Sequence, residues 1–178
     1  ALSGETLVVT VMSNLGLRLA MEQAGVAVVE TPVGDRHVAE AITAGGYSLG
    51  GEQSGHIILA DHAPSGDGLA TAVAVLDLVR RDGRQVGEIA AATMASLPQV
   101  LVNVGIDPAG PSAAELVETA AAVIGEQERL LGAGGRVLVR PSGTEPLVRV
   151  MVEAPTTEVA RQVADAIAAE IHLHAGGR

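Results

Sequence analysis

Residues 6–31 read TLVVTVMSNLGLRLAMEQAGVAVVET. The first six are rich in β-branched side chains, and Ser13 and Asn14 then offer helix caps. Apolar residues recur at helical spacing until Gly25, which suits the position just past a helix, and a second β-branched run follows over 26–31. The stretch therefore predicts strand, helix, strand, the opening of an α/β layer.

The alternation continues outward. A helix over 35–44 with Asp35 as its cap, a strand-like segment over 47–51 and an apolar run over 57–60 follow. Ser65, Gly66 and Asp67 then offer caps for a helix through Arg81. Asp82 and Gly83 turn the chain into another helix over 86–96. Pro98 is a seam, because proline biases its neighbour away from helix, and the chain is expected to divide into domains at 1–98 and 99–178. Its 178 residues suit one large or two small domains at about 100–200 residues per domain.

In the second part, 99–106 reads as a strand and 107–111 as a loop. Ser112 with Glu115 forms a capping-box pattern opening a helix to Ile124, ended by Gly125. Strands over 136–140 and 147–153 flank a turn, a helix covers about 157–171, and the tail over 172–178 is expected to fray. This order, β-α-β-β-α, predicts an α+β domain built around a hairpin.

Composition excludes several function classes. The net charge is −10 and the only aromatic residue is one tyrosine, so neither phosphate-backbone attraction nor base stacking is available for nucleic acid. There is no cysteine, which removes disulfides, thiolate chemistry and Cys-ligated zinc. The longest apolar runs, 69–76 and 86–97, are broken by Asp77 and Glu88 and fall short of the ~20 residues that span a bilayer. The N-terminus has no signal-peptide pattern. No membrane association and a cytoplasmic setting are expected, and the absence of an initiator Met suggests a cut chain. All 11 basic residues are arginine, which suits bidentate phosphate recognition and equally reflects composition bias.

The segment 140–149, RPSGTEPLVR, looks suited to an anion. Gly143 permits close backbone approach, Ser142 and Thr144 add hydroxyls, and Arg140 and Arg149 supply guanidinium forks. An ordinary hairpin loop uses the same Pro, Gly and Ser, and Glu145 repels a phosphate unless it points away.

The segment 50–56, GGEQSGH, is the second candidate. In an extended segment Glu52 and Ser54 project to one side, where carboxylate and hydroxyl can grip adjacent sugar hydroxyls. Ser54 is a poor nucleophile, because a nucleophile elbow requires glycine where Glu52 stands. His56 is either a ligand contact or a structural histidine. In the third candidate, 34–37, an anion meets a helix N-terminus and Arg36, or Asp35 is a plain cap. Asp67 between Gly66 and Gly68 is a turn and cap rather than a Mg²⁺ site.

Over nearly its whole length the sequence resembles the α-D-phosphohexomutase superfamily, through TLVVTVMSNLGL, TPVGDRHV, GGEQSGH, SGDGL, LPQVLVNV and RPSGTEPLVRVMVEA. Gln53 and VMSNLGL point to its glucosamine branch. The resemblance implies an α/β three-layer domain with a mixed sheet, the family's third, followed by an α+β domain of TATA-box-binding-protein-like type, its fourth. It implies interconversion of glucosamine 6-phosphate and glucosamine 1-phosphate on the route to UDP-N-acetylglucosamine and cell-wall precursors. A first-domain phosphoserine donates the phosphoryl group, a bisphosphate forms, and Mg²⁺ on a second-domain DGDxDR loop assists.

Neither that loop nor a TASHNP-like serine loop occurs here, so the chain is expected to hold no catalytic residue and no metal ligand. It is expected to be inactive without the missing domains 1 and 2. By resemblance Glu52, Ser54, His56 and Arg36 bind substrate, while Arg140, Ser142, Gly143, Thr144 and Arg149 hold the non-reacting phosphate of one phosphorylated hexosamine. His37 departs from the family's usual tyrosine. A homodimer of the complete enzyme is among the partners expected. A non-enzymatic phosphosugar-binding module and a fragment of a phosphomannomutase or phosphoglucomutase are the alternatives.

Overall fold

The computed structural model describes residues 2–175. The chain forms two compact units, Ala1–Ser96 and Leu97–Arg178. In the first, the strands are β1 (Thr6–Thr10), β2 (Ala27–Thr31), β3 (Leu49–Gly51) and β4 (Ile57–Leu59). The helices are α1 (Leu15–Gln23), α2 (Asp35–Gly45), α3 (Gly68–Asp82) and α4 (Val86–Thr93). The sheet order is β2-β1-β3-β4, with β1 parallel to β2 and β3, and β4 antiparallel to β3.

Because side chains alternate across a sheet, Val8 and Ile58 meet α2 through Val38 and Ile42, and all four are buried. Leu7, Val9, Leu49, Ile57 and Leu59 turn to the other face. There they line, with Leu17 of α1 and Ala74, Val75 and Leu78 of α3, a cavity of about 610 Å³. Helices on both faces of a mixed sheet make the three-layer α/β arrangement expected from the resemblance.

Three details differ from the sequence reading. Tyr47 and Ser48 precede β3, because the Tyr47 N–H donates to the Ile42 carbonyl (3.0 Å) and thereby closes the end of α2. Asp35 is the first residue of α2 and Gly34 is its cap. Helix α4 stops at Thr93 rather than 96, and Met94 is extended with φ −156°. There the Ala95 carbonyl lies where a Cβ on Gly16 would stand, so only glycine at that place lets the chain cross the start of α1.

The second unit contains β5 (Gln99–Gly105), α5 (Ala113–Thr119), α6 (Ala121–Leu131), β6 (Arg136–Pro141), β7 (Leu147–Glu153) and α7 (Thr157–His174). Its antiparallel sheet runs β5-β7-β6. Val100, Val104, Val137, Val148, Val150 and Val152 form one sheet face, packed with Leu116 and the α7 stripe Ala160, Val163, Ala164, Ile167, Ala168 and Ile171. That stripe has the i, i+3, i+4, i+7 spacing of an amphipathic helix, and each fully buried isoleucine contributes roughly 1.5–3 kcal/mol.

The Ser112–Glu115 capping box forms as predicted, but the helix it opens breaks at Ala120. Gly125 sits inside α6 instead of ending a helix, its cost there about 1 kcal/mol against alanine. The tail does not fray where expected: α7 continues to His174, and Ala175 is buried against the core, adding a contact that anchors the last turn. The rest of that tail, 176–178, lies outside the described residues.

Candidate functional site

The chemistry-bearing loops lie one on each unit. In the first, the chain leaves β3 at Gly51 and returns in β4 at Ile57. The Glu52 N–H donates to the His56 carbonyl (3.0 Å) and the Gly55 N–H to the Glu52 carbonyl (3.1 Å). The loop is thus a closed turn rather than an extended segment. Glu52 and Ser54 share a side because the turn folds them together, with the Ser54 hydroxyl donating to Glu52 Oε1 at 2.6 Å.

Glu52 is the centre of this cluster, its side chain only 10% exposed. Its Oε2 accepts the Gly34 N–H at 3.2 Å, which ties the loop before α2 to the loop after β3. Gly34 has φ +125°, a conformation that favours glycine, and this places its amide as that donor. His56 Nδ1 lies 3.5 Å from Glu52 Oε1 and 3.9 Å from Asp35 Oδ2. Both His56 and Asp35 are more than half exposed and available to a ligand. Sequence reasoning missed Asp35 as a member of this group by treating it as a cap.

Arg36 is held elsewhere. Its Nε donates to Glu40 Oε1 at 2.8 Å along α2, with its side chain 84% exposed. That hydrogen bond, and then the attraction of the charges, pushes the Arg36 pKa up and the Glu40 pKa down. His37 Nδ1 stands 3.6 Å from the same carboxylate. The cavity beneath α3 has Glu52 and Gln53 at its edge, but its walls are almost entirely apolar and offer few partners to a polyhydroxylated anion.

In the second unit, the loop between β6 and β7 closes by hydrogen bonds from the Ser142 N–H to the Leu147 carbonyl (2.9 Å) and from the Leu147 N–H to the Glu145 carbonyl (2.8 Å). Gly143, Thr144, Glu145 and Pro146 are exposed, and nothing occupies the space a Cβ on Gly143 would take. Among the described residues the Gly143 and Glu145 N–H groups have no acceptor, so two backbone donors remain open beside the Ser142 and Thr144 hydroxyls.

Arg140 and Arg149 are register partners across β6 and β7 and so share a sheet face. Like charges in direct opposition are unfavourable, and an anion between them removes the cost. Glu145 partly fills that role, its Oε2 accepting from Arg149 Nη2 at 3.1 Å. It does not point away, as a standing phosphate requires, but at 56% exposure it is free to swing. The Arg149 Nε is buried with no hydrogen-bond partner, an unmet donor that carries a cost of its own.

Among the described residues no group of three or more His, Asp or Glu is placed to hold a metal ion. Asp67 is spent as the α3 cap, Oδ1 accepting the Leu69 and Ala70 N–H groups at 2.8 and 3.0 Å.

Residues 1–97 match the family model for the phosphoglucomutase/phosphomannomutase alpha/beta/alpha domain III, and residues 101–170 the model for the C-terminal domain of that family. The phosphoglucosamine mutase of Frankia alni is 57% identical over 171 residues, covering 96% of this chain and 37% of its own length. That of Thermobifida fusca is 57% identical over 169 residues, with 94% and 37% covered. The chain therefore spans about 37% of the length of the curated relatives it matches. The fold is shared with Aspergillus fumigatus N-acetylphosphoglucosamine mutase in complex with GlcNAc-6P and magnesium. Identity to that structure is 20% and the TM-score 0.72, over 94% of this chain and 41% of that one.

Proposed function

The chain belongs to the phosphoglucomutase/phosphomannomutase family, with the sequence of its domain III and its C-terminal domain, and on that premise we propose that it is the sugar- and phosphate-binding part of a phosphoglucosamine mutase. The observation that carries the reading is the opposed Arg140 and Arg149 beside the open amides of Gly143 and Glu145. Together with the Ser142 and Thr144 hydroxyls, and with Glu145 swung off Arg149, they form a donor-rich surface of the kind a phosphate dianion fills. The sugar specificity rests on the relatives at 57% identity, which are phosphoglucosamine mutases.

In this reading Glu52, Ser54 and His56 hold sugar hydroxyls. Glu52 keeps one oxygen on the Gly34 amide and has the other to exchange from Ser54 to substrate. Arg36 leaves Glu40 to reach a ligand, at the modest cost of one exposed ion pair. A mutase accepts its sugar in two orientations, so it gains by fixing a phosphate remote from the reacting one and spending that binding energy on positioning. The second unit supplies that phosphate grip.

The complete enzyme interconverts glucosamine 6-phosphate and glucosamine 1-phosphate in the cytoplasm. Phosphoryl transfer itself belongs to a phosphoserine outside this chain, whose sequence contains neither a TASHNP-like loop nor DGDxDR. The described residues do not fit Mg²⁺, since the one glycine-flanked carboxylate, Asp67, already caps α3. The metal's ligands are assigned to the preceding domains. No helix among the described residues is long and apolar enough to cross a membrane.

The test is a coupled assay for glucosamine 1-phosphate. The isolated 178-residue chain should show no turnover, and turnover should appear when the N-terminal part of the Frankia alni relative is added. Measurable turnover by the isolated chain overturns the assignment of roles.

A further inference from the structure

The row of residues that includes Arg140 and Arg149 does not end at β7. In the β5–β7 ladder Arg149 is paired with Asn103, so the three strands place Asn103, Arg149 and Arg140 side by side on one face. That face is the one opposite the valine core, which takes Val102, Val104, Val148, Val150 and Val139. The neighbouring row on that face, Leu101, Met151 and Leu138, is apolar with Met151 buried, and on the other side Gly105 pairs with Leu147. The polar row is thus isolated among apolar ones, next to the loop of 142–146.

Asparagine is disfavoured within strands, and Asn103 stands mid-strand between Val102 and Val104. It is exposed, and among the described residues its side chain has no hydrogen-bond partner. Nothing in the fold itself accounts for an amide here. Its chemistry does suit an anion site already holding two guanidinium groups. A third cation in the row adds repulsion, an aspartate neutralises one arginine, and an amide adds a donor without either cost. Neighbouring strands are about 4.8 Å apart, so a ligand on Arg149 is within reach of the Asn103 amide.

We propose that Asn103 is a third ligand-contacting residue of this anion site, donating an Nδ2–H to a phosphate oxygen from the β5 side. The proposal rests on the reading of the 140–149 segment as a phosphate grip.

The test titrates inorganic phosphate into the full chain and its variants by calorimetry. Arg140→Gln should weaken binding by about tenfold or more, as loss of a charge-assisted contact does, and Asn103→Ala by about three- to tenfold. Asn103→Asp should weaken it further than Asn103→Ala. In parallel the side-chain amide resonance of Asn103 should shift on addition of phosphate. Without phosphate the Asn103→Ala unfolding midpoint should match the parent, since the side chain is exposed and unpartnered. If Arg140→Gln loses binding while both Asn103 variants stay within about twofold of the parent and the amide resonance does not move, Asn103 has no such role and the phosphate grip stands. If Arg140→Gln binds phosphate as the parent does, the grip itself is refuted, and Asn103's role with it.

Discussion

Arg140 on β6 and Arg149 on β7 stand directly opposite one another in the antiparallel ladder, with one carboxylate, Glu145, on the Arg149 side. Their Cβ atoms are about 5 Å apart as register partners, close enough for one tetrahedral anion to bridge both guanidinium groups.

Removing one of the two charges should therefore separate stability from binding. Arg140→Gln is expected to leave the unfolding midpoint unchanged or slightly raised in phosphate-free buffer, because a like-charge opposition is relieved. It should also abolish most of the midpoint increase that added phosphate gives the parent, since a ligand stabilises only through binding the folded state. Thermal unfolding with and without phosphate reads both effects.

Glu145 and phosphate compete for Arg149. The Glu145 carboxylate is more than half exposed, so its ion pair with Arg149 contributes only about 0–1 kcal/mol, and a bound dianion gains more from the same fork. Glu145→Gln should tighten phosphate binding by about two- to fivefold and steepen its decline with salt, because the site then faces the dianion with more net positive charge. Calorimetry at two ionic strengths checks this, and weaker binding by the variant would show that Glu145 supports the loop rather than occupying the site.

At the other loop Glu52 has a structural and a binding task at once. Its Oε2 holds the Gly34 amide and its Oε1 the Ser54 hydroxyl. Glu52→Ala should strip the Gly34 N–H of its acceptor and lower stability by about 1–3 kcal/mol, whereas Ser54→Ala should cost under about 1 kcal/mol because the hydroxyl is exposed. Both should weaken binding of glucosamine 6-phosphate more than binding of inorganic phosphate. Denaturant melts and paired titrations separate the two tasks.

Much of this was legible in the sequence because local and tertiary signals agree there. The β1-α1-β2 opening follows from a β-branched run, the Asn14 cap and Gly25, and the structure keeps all three. Arg140 and Arg149 bracket a turn, so the predicted hairpin puts them on neighbouring strands, while their direct opposition comes from the register that the structure shows. Elsewhere tertiary contacts decide. Tyr47 reads as strand, yet its ring packs in the α2 core and its N–H closes that helix. Gly125 reads as a stop, yet α6 runs through it to Leu131. Asp35 reads as a cap, and its approach to His56 depends on a contact made 21 residues away in sequence, which no local pattern carries. Asn103 was invisible for the same reason, since only the β5–β7 register joins it to Arg149.

The capping box at the start of α5 gives a pH signature. Glu115 accepts hydrogen bonds from the Ser112 hydroxyl (2.7 Å) and the Ser112 N–H (2.8 Å), and these, the hydroxyl first, hold its pKa below the ordinary 4.5. A carboxyl depressed in the folded state adds stability that is fully present above its unfolded pKa and is lost as pH falls through the folded one. Glu115→Gln keeps an acceptor oxygen but cannot ionise. Its unfolding midpoint should lie below the parent's at neutral pH, and the gap should begin to close as pH drops past 4.5. Once Glu115 is protonated in the folded state the two proteins should melt together. Midpoints measured from neutrality down to strongly acidic pH test the sequence of events, and a gap that stays constant through that range would mean the charge on Glu115 adds nothing to the cap.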